Sequence, residues 1–140
     1  MATALENLLT QLGTTLSAIT GLTRWYNDPP ESISEFPAGM AYSRFGEMSV
    51  EAGGQGRSQH TVVIDIYNSR VVAPDAIDAA KVWPDRVHAA LAADMTLGGY
   101  VANIVWPMRY TAGVMPYNNA THYGVRFEVT YKVRNAVTTG

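Results

Sequence analysis

The sequence contains no cysteine. That excludes a disulfide framework, a thiolate nucleophile and any zinc or iron–sulfur site built on cysteine. Charge is scarce as well: 16% of residues are charged, against roughly a quarter in an average soluble domain. The 10 basic and 12 acidic residues are mixed along the chain and leave a net charge of −2. A protein that grips nucleic acid by its phosphates needs a basic stripe, because counterion release supplies most of the non-specific affinity. None is visible, so sequence-specific nucleic-acid binding is not expected. No apolar run approaches the roughly 20 residues that span a bilayer, and no membrane partner is expected. Residues 1–6 carry no basic side chain, and Glu6, Asn7 and Gln11 interrupt any apolar stretch, so a signal peptide is not expected either.

Motifs that carry chemistry are missing too. His60, His88 and His122 each stand alone, with no pair at the i, i+4 spacing that puts two ligands on one metal. His60 and His122 both open predicted strands and could meet in space, but surface or strand-edge positions are the expected ones. Asp75 and Asp78 fall in the first turn of a predicted helix, where acids favour the helix dipole, and with Asp85 they form no convincing ligand set. Glu47, Glu51 and Glu128 show no paired spacing for acid–base work. Gly53-Gly54-Gln55-Gly56 lies between two predicted strands and is followed by Arg57-Ser58, which makes it a hairpin tip and not a phosphate loop. No Gly-x-Ser-x-Gly elbow is present. The expectation is a non-enzyme with no catalytic residue, no metal and no cofactor.

What is present is a chain of 140 residues, 47% hydrophobic, the size of a single domain over 1–140 that can bury its own core. Leu5, Leu8, Leu9, Leu12, Leu16 and Ile19 recur at helical spacing and predict an amphipathic helix over 3–18, with Thr3 as N-cap and Glu6 completing a capping box. Residues 22–37, punctuated by Pro29, Pro30 and Pro37, read as an extended connector pinned by Trp25, Tyr26, Ile33 and Phe36. Residues 38–50 predict a strand whose alternation slips between Tyr42 and Phe45, a bulge signal. A flexible tip over 51–58 leads to a Thr-, Val- and Ile-rich strand over 60–67. A second helical region starts at Pro74, with Ile77, Ala80, Val87 and Leu91 on one apolar stripe, and Pro84 interrupts it, so a kink or two short helices are expected. A third strand is expected over 100–106, a loop over 111–121, and a last strand in which Tyr123, Val125, Phe127, Val129, Tyr131 and Val133 alternate with Arg126, Glu128, Thr130 and Lys132. The order predicts an α+β fold. Its expected form is an antiparallel sheet of about four strands, in two hairpins, packed on one face by an N-terminal helix and a kinked second helix.

Together these features resemble the tail terminator (tail completion) proteins of long-tailed bacteriophages, including the lambda-type terminator. The likeness lies in the leucine-spaced first helix; the connector ending Glu35-Phe36-Pro37-Ala38; the hairpin with a Gly-rich tip; the segment Asp94-Met95-Thr96-Leu97-Gly98-Gly99 before a strand; and the closing strand Tyr123-Gly124-Val125-Arg126-Phe127-Glu128-Val129-Thr130-Tyr131. The resemblance covers nearly the whole chain. It implies a structural virion protein of the tail or neck, made in the host cytoplasm, that caps the tail tube as a homo-oligomeric, commonly hexameric, ring. Its implied partners are the tail tube protein and the head–tail connector or stopper, with DNA passing through the ring. On that reading Gly53, Gly54, Gln55, Gly56 and Arg57 reach a neighbouring protein, and Arg126, Glu128 and Lys132 lie on an exposed or lumen-facing sheet surface. The alternatives are another neck component, a tube subunit of related fold, or a small enzyme whose polar residues converge only in three dimensions.

Overall fold

The computed structural model describes residues 3–50, 55–69, 74–99 and 101–136. It is an α+β fold with helices α1 (Ala4–Ser17), α2 (Pro74–Ala80) and α3 (Trp83–Ala93) and strands β1 (Arg24–Tyr26), β2 (Ala38–Val50), β3 (Gln55–Ser69), β4 (Asn103–Tyr117) and β5 (Ala120–Ala136). The strands form one sheet in the order β1-β2-β3-β5-β4. All neighbours are antiparallel except β1 and β2, which run parallel.

The first helix starts where the capping box predicts. Thr3 Oγ1 accepts from the Glu6 amide at 3.2 Å, and the Thr3 amide donates to Glu6 Oε1 at 3.3 Å. Each bond satisfies a donor the helix end would otherwise leave open. Leu8, Leu12 and Leu16 are fully buried, as their spacing requires. They join Ala80 of α2 and Trp83, Val87 and Leu91 of α3 on one sheet face, formed by Val62, Ile64 and Ile66 of β3 and the odd-numbered apolar residues of β5 from Val125 to Val133. Burial of each such side chain contributes roughly 1.5–3 kcal/mol. The polar members of β5, Arg126, Glu128, Thr130 and Lys132, point to the opposite face, as the alternation predicts.

Several expectations are corrected. The sheet has five strands, because Arg24–Tyr26 of the supposed connector pairs with Ala38–Met40. Trp25 fixes that strand: a Cβ at Gly39 would lie 2.7 Å from its ring, and one at Gly13 would lie 2.6 Å from its Nε1. Only glycines admit the indole between α1 and β2. The second helical region is two short helices, one of the two forms expected, and not the kinked one; the break falls at Lys81 and Val82, not at Pro84, which sits in the first turn of α3, where its missing N–H costs nothing. Ile77, expected on the buried stripe, is 40% exposed.

The strands are longer than the sequence suggested. Residues 111–117 continue β4 instead of looping, and β5 begins at Ala120. The turn between them is Asn118-Asn119, with φ of 43° and 67°, the left-handed pair that a two-residue hairpin requires. Pro107 and Pro116 are tolerated because β4 is an edge strand with no partner strand on its outer side among the described residues. The expected start of this strand at Tyr100 lies outside the described residues; β4 begins at Asn103. The bulge on β2 falls between Ser43 and Phe45, where the alternation slipped.

The other sheet face is not wholly open. Residues 27–37 cross one end of it, and Ile33 and Phe36 cover Ala38, Met40, Tyr67 and Met115 in a second, smaller core. Tyr117 Oη donates to the Pro30 carbonyl, and Asn118 Nδ2 to the Glu31 carbonyl at 2.6 Å, tying this segment to the β4–β5 turn.

Candidate functional site

The most heavily engaged polar group is Asp65, which the sequence reading overlooked. It interrupts the apolar run of β3 and is 1% exposed. The register places it beside Met40 of β2 and Arg126 of β5, on the face away from the helices. Arg126 Nε donates to Asp65 Oδ1 at 2.8 Å and Nη2 to Oδ2 at 3.2 Å, a two-point grip. Tyr42 Oη donates to Oδ2 at 3.0 Å, and the Tyr67 hydroxyl stands 3.5 Å away. The hydrogen bonds that Arg126 donates to the carboxylate hold it more firmly protonated than usual. Burial, then the Asp65 charge, pushes the Tyr42 hydroxyl up to about 12. The same causes, in the same order, raise Tyr67. A tyrosine acting as general base near neutral pH needs the opposite shift. The cluster is a satisfied polar clamp that fixes the register of β2, β3 and β5, with each hydroxyl kept as a donor.

The sequence-predicted residues fall into three groups. Gly53 and Gly54 lie outside the described residues. Gln55, Gly56 and Arg57 are not a loose tip but strand residues: Gly56 is aligned with Val50 on one side and Asn135 on the other, and Arg57 with Ser49 and Arg134. Pairing on both sides holds Gly56 and Arg57 in β3, and Gln55 pairs with Ala136 of β5. Arg126, Glu128 and Lys132 do share one face, but the first two are committed to ion pairs. Arg126 grips Asp65, and Glu128 pairs with Arg44 of β2. Lys132 is exposed and meets Arg57 and Asn103 around a groove of about 180 Å³ at the far end of the sheet. The structure therefore brings Arg57 and Lys132 together and leaves Arg126 at the other end.

The histidines are also corrected. His60 and His122 are buried, at 7% and 2% exposure, and they do not meet. His60 aligns with Tyr131 on the helix-covered face, and its Nε2 is 3.0 Å from Ser58 Oγ. Burial lowers its pKa below the ordinary 6.5. His122 packs between Phe36 and Tyr67 in the smaller core. His88 is exposed and lies edge-on to Trp106. Among the described residues no group of three His, Asp or Glu side chains is placed to hold a metal ion. No helix among the described residues is long and apolar enough to cross a membrane.

The remaining unusual feature is apolar exposure. Phe45, Met48 and Val50 on β2 are 58%, 79% and 65% exposed, and Tyr110 and Val114 on β4 are 56% and 57% exposed. Trp106 joins them at the start of β4. These residues sit on two strands with open outer sides. β1 covers β2 only at Ala38–Met40, and β4 is the last strand of the sheet. Beside β4, Ile77, Pro84, Tyr110 and Ala112 line an apolar groove of about 230 Å³. Long open edges with apolar side chains are sites where another chain docks, and soluble monomers normally blunt them. Among known proteins, the chain matches no family model and no curated protein.

Proposed function

We propose that this chain is a structural subunit of a long-tailed bacteriophage, a tail terminator that closes the finished tail tube as a hexameric ring and offers its other face to the head connector. Two antiparallel hairpins, β2–β3 and β4–β5, with α1 and the broken α2–α3 pair on one face, are the framework this role would use. The observation that carries the reading is the concentration of exposed apolar side chains on the two outer strands, Phe45, Met48 and Val50 on one and Trp106, Tyr110 and Val114 on the other. Two unlike sticky edges on one subunit suit a head-to-tail contact, and such contacts give a ring when the rotation between copies closes. The closed state of the Asp65 clamp supports a role without catalysis, since its tyrosines are held protonated. The protein would act at the neck of the virion, with copies of itself, the tube protein and the connector as partners, no cofactor, and DNA passing through the lumen.

Tail assembly with and without the protein tests this. Tubes formed without it should fail to accept heads, and purified protein added back should restore joining and appear as a ring at one tube end. Heads that join equally well in its absence overturn the proposal.

A further inference from the structure

Resting on the ring reading, we infer which surfaces meet: the open edge of β2 in one copy pairs, antiparallel, with the open edge of β4 in the next. The occupant of each edge is therefore a second copy of this chain.

Direction comes first. The three steps β2 to β3, β3 to β5 and β5 to β4 are all antiparallel, so β2 and β4 run in opposite directions. Copies related by rotation about an axis along the strands keep those directions. The β2 of one copy then meets the β4 of the next as an antiparallel pair, the geometry in which strand addition works.

Length agrees. The β2 edge is open over 41–50, beyond the part that β1 covers. On β4 the longest proline-free run is 108–115, bounded by Pro107 and Pro116, which lack the N–H a new ladder needs.

Chemistry agrees on both faces. Met48 aligns with Ser58 and Tyr110 with Phe127, both on the helix-covered side, so Met48 and Val50 of one edge share a face with Tyr110 and Val114 of the other, while Phe45, aligned with Thr61, lies on the opposite face. Glu47 aligns with Gln59, and Arg109 with Glu128, both on the opposite side. Glu47 and Arg109 are exposed and neither forms an ion pair among the described residues. One edge thus carries an uncommitted anion and the other an uncommitted cation, on the same face. Setting Glu47 opposite Arg109 puts Gly46 opposite Tyr110, where the missing side chain leaves room for the ring, and Met48 opposite Met108. The pairing stays in step over residues 45–48 and 108–111, up to the bulge of β2 between Ser43 and Phe45.

The native absence of cysteine makes the test direct. Glu47→Cys and Arg109→Cys are made singly and together and oxidised at high protein concentration. An equimolar mixture of the two single variants should give covalent dimers and nothing larger, and the double variant a ladder ending at the ring number. Each single variant alone should stay uncrosslinked. Rings seen by light scattering with no cross-link in the mixture overturn this interface but leave the ring reading standing. A monomer with no cross-link at any concentration counts against both. Cross-linking of Glu47→Cys with itself overturns the head-to-tail contact. As a second readout, Glu47→Arg or Arg109→Glu should weaken assembly at least tenfold, and the two together should restore it.

Discussion

Replacing Asp65 by asparagine should destabilise the fold by about 2–3 kcal/mol. The side chain is 1% exposed and receives two bonds from Arg126 and one from Tyr42. Hydrogen bonds involving a charged group contribute roughly 1.5–3 kcal/mol, and leaving one partner of a buried ion pair alone costs roughly 3–5 kcal/mol. Arg126 is 42% exposed on its side chain, so it can regain water when the carboxylate is lost, which places the asparagine variant at the low end. The converse change is worse. Arg126→Met leaves a carboxylate with almost no access to solvent and only tyrosine hydroxyls beside it, and should cost roughly 3–5 kcal/mol. The double variant Asp65→Leu with Arg126→Met should cost less than Arg126→Met alone, because no charge remains buried. Urea unfolding followed by the fluorescence of buried Trp83 measures all of these, with an unchanged m-value as the check on two-state behaviour. The reasoning is refuted if Arg126→Met costs no more than Asp65→Asn, or if both fall within about 0.5 kcal/mol of the parent, the range of ordinary surface changes.

Other outcomes follow from single contacts. Gly124→Ala should destabilise by about 3 kcal/mol or more in the same unfolding assay, since the added Cβ would lie 2.1 Å from the Ile66 carbonyl oxygen, a backbone atom that cannot step aside. Tyr131→Phe should be neutral or stabilising by up to about 1 kcal/mol, because the Tyr131 hydroxyl is buried with no hydrogen-bond partner among the described residues; a clear loss of stability would point to a bond there. The Tyr42 hydroxyl titrates at about 12 when folded and at 10 when unfolded, so the stability it contributes is complete below pH 10 and is lost as pH rises through 12. Tyr42→Phe should therefore flatten the fall in stability across that window, and an unchanged slope would contradict the assignment. His60 has the opposite sign: its folded pKa is depressed, so its contribution is present above pH 6.5 and is lost as pH falls through the lower folded value, and His60→Gln should reduce that acid sensitivity.

Local signals in the sequence were read correctly where local physics decides. The leucine spacing and capping box gave α1, the strict alternation gave the two faces of β5, and the slip between Tyr42 and Phe45 gave the bulge. Illegible were features decided by distant partners. β1 is three residues long and forms because Gly13 and Gly39 leave space for Trp25, a relation no window around Trp25 contains. The prolines of β4 read as loop signals, and only its place at the sheet edge makes them harmless. Asn118-Asn119 was a usable turn signal that the breakers on either side obscured. Arg126 looked like ordinary polar surface because its partner Asp65 is 61 positions away and is brought opposite only by the β3–β5 register. A lone aspartate inside Val62-Val63-Ile64-Asp65-Ile66 was the available clue, since a buried acid requires a donor set somewhere.

The central claim is assembly, and the mass of the purified protein in solution tests it most directly. Light scattering across a range of concentrations, with negative-stain images of the same sample, should give closed rings of one diameter and a mass that is a fixed multiple of the 15.2 kDa chain. A monomer at every concentration, with no ring at the ends of tail tubes mixed with it, would contradict the account.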